Sequence, residues 1–170
     1  MDFLKLAEDR FSVRGFSDKK VGKDVIEKIL RAGQVAPTAC NYQPQRVFVI
    51  ESDESLEKLK KCTGSHYNAP LALLVCYDKN ECWKRSYDGK PSGDIDASIV
   101  CTHMMLEAAE LGVGSTWVMH YDPETVKSEF ELPDNLESTA ILVLGYAKDG
   151  LTPNPMHYKI KPTEDTVKFI

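Results

Sequence analysis

Two long apolar runs constrain the fold of this chain more than any other feature. The first run, APLALLVCYD, begins at Ala69, and the second, TAILVLGYA, begins at Thr139. Neither run alternates between apolar and polar residues, so each predicts a strand that is buried on both faces. The segment RVFVIES, from Arg46, is rich in β-branched and aromatic residues and predicts another strand. We therefore expect a sheet flanked by helices.

Helical periodicity supplies the flanking elements. The segment GKDVIEKILRAGQVAPT places four aliphatic residues on one face and Gly33 where a C-terminal cap belongs. The longest helix, DIDASIVCTHMMLEAAELG, is apolar around most of its circumference, which predicts a central position. Asp94 and Asp96 open this helix, where carboxylates complement the helix dipole. We expect His103, in the same helix, to be a hydrogen-bonded core histidine.

The predicted order is two helices, a strand, a helix, a strand, the central helix, a strand, a helix, a strand and a tail. This order predicts an α+β fold in which helices pack on a mainly antiparallel or mixed sheet. No repeat or linker interrupts residues 1–170, so we expect one domain. The tail, LTPNPMHYKIKPTEDTVKFI, has three prolines and little periodicity. Such a tail is expected to wrap around a partner subunit.

Charge and hydropathy argue against two classes of partner. The formal net charge is -5 at pH 7, which is unfavourable for nucleic acid as the main partner. No apolar run approaches the ~20 residues of a membrane helix. The N-terminus has no apolar core of signal-peptide length. We therefore expect a cytoplasmic protein that binds neither nucleic acid nor membrane.

The cysteines predict free thiols. There are five of them, irregularly spaced and without a CxxC motif, so a disulfide framework is excluded and a reducing compartment is favoured. A metal site would have to combine Cys62 and His66 with Cys76 and Cys82, and no second pair has zinc-ligand spacing. We expect buried, unreactive thiols and no bound metal.

Common nucleotide-binding and nucleophile motifs are absent from the sequence. GVGSTW, at 112–117, begins like the dinucleotide fingerprint, but Trp117 replaces its third glycine and the segment follows a helix instead of a strand. Neither GxxxxGK[ST] nor GxSxG occurs. A bound nucleotide would therefore have to be held in another way.

The segment RFSVRGF, at 10–16, carries the most suggestive polar pattern. Arg10, Ser12 and Arg14 alternate in a short non-helical run, and alternate side chains of an extended segment point the same way. Two guanidinium groups and a hydroxyl would then converge on one anion. Taken alone, the pattern favours solvated arginines on a surface loop, because most arginines are surface residues.

Several segments together resemble the FMN-dependent nitroreductase family. Its R-x-S-x-R-x-F, A-P-[ST]-A-x-N-x-Q-P, A-x-x-L-G-[LV]-G-[ST]-x-W and L-x-x-G-Y patterns all occur in family order, followed by a basic pair before a proline. The matching ranges are 10–16, 36–44, 108–117, 142–146 and 159–162. Because the resemblance covers nearly the whole chain, it implies the nitroreductase-like fold.

The resemblance also implies a homodimer with FMN at the subunit interface. Exchange of the C-terminal tail would then bury its apolar residues Val167, Phe169 and Ile170. The implied FMN-binding residues are Arg10, Phe11, Ser12, Arg14, Pro37, Thr38, Ala39, Asn41, Gln43, Val118, Met119, His120, Lys159 and Lys161.

The implied roles differ along the flavin. Arg10 and Ser12 would reach the phosphate and ribityl end, and Lys159 and Lys161 would complete the clamp, with the contacting lysine left open. Arg14 would lie near the pyrimidine edge. Phe11 also lies on the alternate face with Val13, where both would pack into the protein.

The remaining implied contacts surround the ring. Pro37, Thr38 and Ala39 would approach it from the other subunit. Asn41 and Gln43 would bind the flavin or line the pocket mouth, although both residue types also stabilise turns. Val118, Met119 and His120 would face the ring, with backbone N–H groups of the last two directed at its central nitrogen. Relatives often have glycine at those two positions, so their side chains would shape the site.

The chemistry implied is that of the flavin. NADH or NADPH would deliver a hydride, and a nitroaromatic, quinone or similar electron-poor acceptor would then take it in the same pocket, which is a ping-pong scheme. The catalytic candidates are Arg14, whose charge would stabilise the reduced flavin, and His120, as a proton donor. The loop over 80–93, with Trp83, Arg85 and Tyr87, is either an acceptor contact or an ordinary surface loop.

Two alternatives stay open at this point. The chain could carry out another FMN-dependent reaction on the same fold, namely dehalogenation, ring desaturation or fragmentation of the flavin. It could also be a flavin-binding or redox-sensing module without turnover.

Overall fold

A four-stranded antiparallel sheet forms the centre of the protein. The structure is a computed structural model that describes residues 2–170. The spatial order of the strands is β1-β2-β4-β3, and each neighbouring pair is antiparallel. The strands are β1 (Gln45–Ile50), β2 (Leu71–Asp78), β3 (Gly114–Val118) and β4 (Leu136–Gly145). The predicted α+β fold is confirmed, and of the two sheet types considered, the antiparallel one is present.

The helices follow the predicted order along the chain. They are α1 (Phe3–Asp9), α2 (Lys23–Gln34), α3 (Asp53–Cys62), α4 (Gly93–Glu110), α5 (Pro123–Glu129) and α6 (Thr163–Thr166). The last of these is a single turn within the tail. Side-chain caps start three of the others. Asp2 accepts from the backbone of Leu4 before α1, Ser52 from that of Ser55 before α3, and Asp122 from that of Glu124 before α5.

Strand β2 shows why the apolar runs are continuous. All of its residues are buried, and they alternate between two hydrophobic clusters on opposite faces of the sheet. Leu71, Leu73 and Val75 pack with α2 and α4, whereas Ala72, Leu74 and Cys76 pack with α3 and α5. The result is a three-layer arrangement of helices, sheet and helices.

Gly33 does not cap α2, so that sequence prediction was wrong. The helix continues to Gln34, and Gly33 is buried in its last turn. A Cβ atom at this position would lie 2.8 Å from Cγ of Met104. The glycine therefore allows the close approach of α2 to α4.

Helix α4 is central, but within residues 2–170 only one of its faces is fully covered. Val100, Cys101 and Met104 are buried against the sheet and α2, whereas Ile95 is 54% exposed. An open groove of about 530 Å³ follows the other face, where it is lined by Ile95, Ile99 and His103, among others. His103 is half-buried in this groove. It has no side-chain hydrogen bond to the described part of the chain, so the prediction of a hydrogen-bonded core histidine was wrong.

The tail first returns to α1 and then extends over the surface. Nε2 of His157 lies 3.0 Å from the carbonyl oxygen of Glu8, and its ring packs edge-on against Phe11 with 6.4 Å between centroids. Beyond this contact the apolar side chains are exposed, including Ile160 and Phe169 at 87% and 94%. None of the helices within residues 2–170 combines the length and apolar composition that crossing a bilayer requires.

The cysteines are free, and four of the five are buried. Burial raises the pKa of the Cys62 thiol to about 11 and those of Cys76 and Cys101 to about 12. Cys40 is the exception to the predicted burial, because it lies exposed in the turn after α2. Nowhere in residues 2–170 do three or more His, Cys, Asp or Glu side chains form a group that could hold a metal ion.

Native protein at pH 8 should therefore release one equivalent of chromophore with a chromogenic thiol reagent. The reactive thiol is that of Cys40, since the other cysteines are buried and thiolates are the reactive species. Cys40→Ser should abolish the fast reaction, and all remaining thiols should react only after unfolding. Fast labelling of two or more thiols in the native protein would contradict this burial pattern.

Candidate functional site

The segment that follows α1 runs along the outer edge of β3. Ser12 forms an isolated parallel bridge with Ser115, and the Val13 N–H donates to the Ser115 carbonyl at 3.0 Å. The Thr116 hydroxyl donates to the Val13 carbonyl at 2.6 Å in a buried position. Because Val13 is 3% exposed, it anchors the segment, while Arg14 next to it is exposed. The predicted alternation is therefore confirmed at these residues.

The anchoring of Val13 depends on a glycine in β3. A Cβ atom on Gly114 would lie 2.6 Å from Cγ2 of Val13, which is closer than side chains approach each other. Of the two glycines at 112 and 114, Gly114 therefore has a packing role. Gly112 itself has a φ of 72°, which suits the turn that leaves α4.

Two clefts border this segment and share Phe11, and we call residues 10–14 with 154–157 the basic half-site. One cleft, of about 210 Å³, is lined by Arg10, Phe11 and Ser115 together with Ala109 at the end of α4. The other, of about 440 Å³, contains Phe11, Ser12 and Arg14. Its remaining lining comes from the tail, from Asn154, Met156 and His157. The half-buried Phe11 lines both clefts and packs against His157.

The basic half-site contains two guanidinium groups without an ion pair to the described residues, although Asp9, which pairs with Lys5, lines the same cleft as Arg10. Arg46 and Arg85 each form an ion pair, but Arg10 and Arg14 form none with residues 2–170. The tail brings Lys159 close, since it follows His157 by two residues, about 7 Å of chain. Lys159 and Lys161 are likewise exposed and form no ion pair with the described residues.

One buried hydroxyl in the same place has no partner. Ser115 is 2% exposed, and its Oγ finds no hydrogen-bond partner in the described chain. It lines the cleft that contains Arg10. Buried polar atoms are nearly always hydrogen-bonded, so an orphan hydroxyl beside an unpaired guanidinium indicates a place for a polar, anionic ligand.

A second group of predicted residues lies in the turn between α2 and β1, which we call the turn half-site (residues 37–43). Cys40, Asn41 and Gln43 have positive φ angles of 51°, 56° and 51°. Thr38 Oγ1 accepts from the Gln43 N–H, and the Gln43 side chain donates to the Asn41 carbonyl. The Gln43 amide is thus engaged in the turn, whereas Pro37 and Asn41 are exposed.

Asp96 anchors this turn. The sequence analysis assigned Asp96 only to the helix dipole and missed this anchoring role. Its side chain is buried at 2% exposure, and Oδ1 accepts from the Ala39 N–H at 2.8 Å. A signal was present, because Asp96 shares a helical stripe with Val100 and Met104 at four-residue spacing. A carboxylate on an apolar stripe is rarely buried without partners. Asp94 accepts from the Thr139 hydroxyl at 2.8 Å.

The two half-sites lie at opposite ends of α4. Ala39 contacts Asp96 near the start of the helix, whereas Ala109, near its end, lines the cleft of Arg10. At 1.5 Å per residue, the axis between Asp96 and Ala109 is about 20 Å long. One chain therefore does not bring its own two half-sites together.

The third predicted group follows the end of β3. Val118 is buried at 3% exposure, whereas Met119 is 63% exposed. His120 is exposed, and its carbonyl accepts from the Thr63 hydroxyl at 2.6 Å. Asp122 N–H also donates to the Cys62 carbonyl. Residues 62–63 thus hold the backbone of this segment in place.

Comparison with known proteins identifies the family. The model of the Nitroreductase family matches residues 7–67 and 64–146. The chain belongs to the nitroreductase family, and it is an oxidoreductase of that family.

Individual relatives agree with this assignment. A crystal structure of a nitroreductase family protein from Clostridium difficile 630 is 45% identical, with a TM-score of 0.93 over 99% of this chain and 98% of that one. An FMN-dependent nitroreductase from C. difficile R20291 is 26% identical, with a TM-score of 0.79 over 98% of both chains. A protein of Archaeoglobus fulgidus, provisionally named NADH dehydrogenase/NAD(P)H nitroreductase, is 33% identical over 86% of both chains. The FMN reductase [NAD(P)H] of Bacillus subtilis is 25% identical over 91% of this chain and 69% of its own length.

Gly114→Ala should displace residues 12–14 from β3. The added methyl group would overlap Val13, and overpacking of this kind costs about 1–3 kcal/mol of unfolding free energy. Denaturant unfolding measures the loss. Gly64→Ala is the matched control, since a Cβ there meets nothing within 4 Å. Equal stability of the two variants would contradict the packing role of Gly114.

Proposed function

We propose that this protein is an FMN-dependent NAD(P)H oxidoreductase that reduces nitroaromatic, quinone or similar electron-poor acceptors. The unpaired guanidinium groups of Arg10 and Arg14, in two clefts that share Phe11, carry the proposal, together with the orphan hydroxyl of Ser115 in the cleft of Arg10. This donor set suits the phosphate and polar chain of FMN, because guanidinium groups bind phosphate through charge-assisted hydrogen bonds. The names of the C. difficile R20291 and B. subtilis relatives support the choice of FMN and NAD(P)H.

The basic residues bind different parts of FMN in this proposal. FMN, when bound, supplies the hydride chemistry, accepting from NADH or NADPH and passing on to the acceptor. Arg10 and Ser12 bind the phosphate and ribityl end, and Lys159 or Lys161 completes the clamp. Arg14 places a positive charge beside the ring, which favours the uptake of negative charge there.

The segment after β3 orients donors toward the ring. The Tyr121 N–H donates to the Met119 carbonyl at 3.1 Å, which restrains the peptide plane that carries the His120 N–H. The Thr63 hydroxyl holds the His120 carbonyl that follows. The exposed imidazole of His120 can exchange protons with solvent, so it is our candidate for the proton donor.

We further propose that a homodimer completes the site. The two half-sites of one chain are about 20 Å apart along α4, so the turn half-site of a partner would have to face the basic half-site. Three apolar surfaces favour such a partner: the open face of α4 at Ile95, the end of β3 at Met119, and the tail at Ile160, Phe169 and Ile170. Exchange of the tail would bury its exposed apolar residues.

Arg14→Ala should weaken FMN binding about 10- to 100-fold. A hydrogen bond to a charged group contributes about 1.5–3 kcal/mol, and this variant also removes the charge beside the ring. Fluorescence titration measures the FMN affinity, and anaerobic bleaching of the flavin bands by NADH or NADPH measures hydride uptake, which should slow. Arg31→Ala is the control, because Arg31 is exposed on α2 and contacts Gln34.

Three results would contradict the proposal. Unchanged flavin content and bleaching rate in Arg14→Ala would remove that residue from the site. A wild-type protein that is colourless and takes up no added FMN would refute the cofactor, and one that binds FMN but is not bleached by either nucleotide would be a passive binder.

Removal of residues 162–170 should convert the dimer into a monomer. The deleted segment contains the exposed Val167, Phe169 and Ile170, whose burial on a partner would stabilise the assembly. Sedimentation velocity measures the mass, and Lys168→Ala serves as the control because it leaves these apolar side chains intact. A truncated protein that stays dimeric would contradict tail exchange.

A further inference from the structure

We propose that Asp96 is a positioning residue that joins the turn half-site to the loop over 79–92, so that the two move as one unit. The proposal depends on the proposed function in one respect, namely that the turn half-site contacts the cofactor. The link between the two segments is independent of that function.

The carboxylate of Asp96 divides its two oxygens between the two segments. Oδ1 accepts from the backbone N–H of Ala39 at 2.8 Å, and Oδ2 accepts from the Ser92 hydroxyl at 2.6 Å. Asp96 and Ser92 are both buried, at 2% and 6% exposure. Ser92 is the residue before α4, yet its hydroxyl donates to Asp96 and does not cap the helix. The carboxylate therefore serves as a bridge.

The other end of the loop is tied to the same region through Arg46. The Arg46 guanidinium forms an ion pair with Glu81 and donates to the carbonyls of Gln45 and Gln43 at 2.9 and 3.4 Å. The Asp78 N–H also donates to the Pro44 carbonyl at 2.8 Å. Both ends of the loop are thus fixed to the chain that forms the turn half-site.

Between these ends the loop is a small hydrogen-bonded hairpin. Lys84 pairs with Pro91, the Arg85 N–H donates to the Lys90 carbonyl at 3.0 Å, and the Ser92 N–H donates to the Trp83 carbonyl at 2.8 Å. Tyr87 lies at its tip and is 95% exposed. Because the hairpin is internally bonded, a shift at Ser92 moves the tip as well.

The turn itself depends on an external anchor. Three of its non-glycine residues, Cys40, Asn41 and Gln43, occupy the left-handed region, which is strained and persists only when surrounding contacts hold it. The bond from Ala39 to Asp96 is such a contact, and through Ser92 the same carboxylate also holds the loop. Loss of the carboxylate should therefore loosen both segments.

Hydrogen exchange read by mass spectrometry tests the link in the full-length protein without any turnover. In Asp96→Ala, the exchange rates of residues 37–43 and 79–92 should both rise about tenfold, the effect of an unsatisfied buried donor. Asp96→Asn should stay near wild type, because its amide can accept from Ala39 and donate to Ser92 Oγ. Asp94→Ala is the matched control, since Asp94 opens the same helix but bonds to Thr139.

A second arm uses FMN itself as the probe. FMN should slow exchange in both segments of the wild type, whereas in Ser92→Ala, which leaves the Ala39 bond and the Arg46 contacts intact, it should slow exchange in 37–43 but no longer in the hairpin over 83–92. This variant removes only a hydroxyl, so it keeps the proposal testable if Asp96→Ala does not fold.

The outcomes separate the two proposals. Equal effects of Asp94→Ala and Asp96→Ala, or faster exchange of only one segment in Asp96→Ala, would overturn the bridging role. Protection of 83–92 as well as 37–43 by FMN in Ser92→Ala would do the same. Absence of any FMN protection in the wild type would instead count against the proposed cofactor, and the exchange rates of the FMN-free variants would still decide the role of Asp96.

Discussion

Burial of β2 and β4 on both faces is the constraint from which the rest of the structure follows. These strands form the middle of the sheet and have no face for water, so helices must cover both sides. Helix α4 covers one side along its full length. Its two ends therefore reach opposite ends of the sheet, and each end supports a different half of the site. The separation of the half-sites is thus a consequence of how the core is covered.

The candidate site combines unpaired positive charge with a buried polar atom that lacks a hydrogen-bond partner. The chain is acidic overall, with a formal net charge of -5, yet Arg10 and Arg14 have no acidic partner among residues 2–170. Elsewhere in residues 2–170, Lys61, Lys127 and Arg85 are paired, whereas other exposed cations such as Lys23 and Arg31 are not. The buried Ser115 hydroxyl, which has no hydrogen-bond partner in the described residues, belongs to a residue that lines the same cleft as Arg10. An anionic ligand would pair with these charges and supply the missing hydrogen-bond partner.

Predictions from the sequence were correct where a local pattern of residues allowed only one structural interpretation. The continuous apolar runs and the alternation around Val13 belong to this group. It was wrong where the meaning depended on a distant neighbour. Gly33 is required by Met104 on another helix, Asp96 is satisfied by Ala39 and Ser92, and His103 and Cys40 lie on surfaces that periodicity does not reveal.

By itself, the sequence determined the class of fold, the order of its elements and the family, because these depend on periodicity and on motifs that are local in the chain. Only the tertiary structure decided which predicted residues lie together. It grouped Phe11, Ser12 and Arg14 with the tail, and it placed 37–43 against the start of α4, about 20 Å from the cleft of Arg10. Contacts between residues far apart in sequence follow from packing around the sheet, and no local pattern encodes those distances.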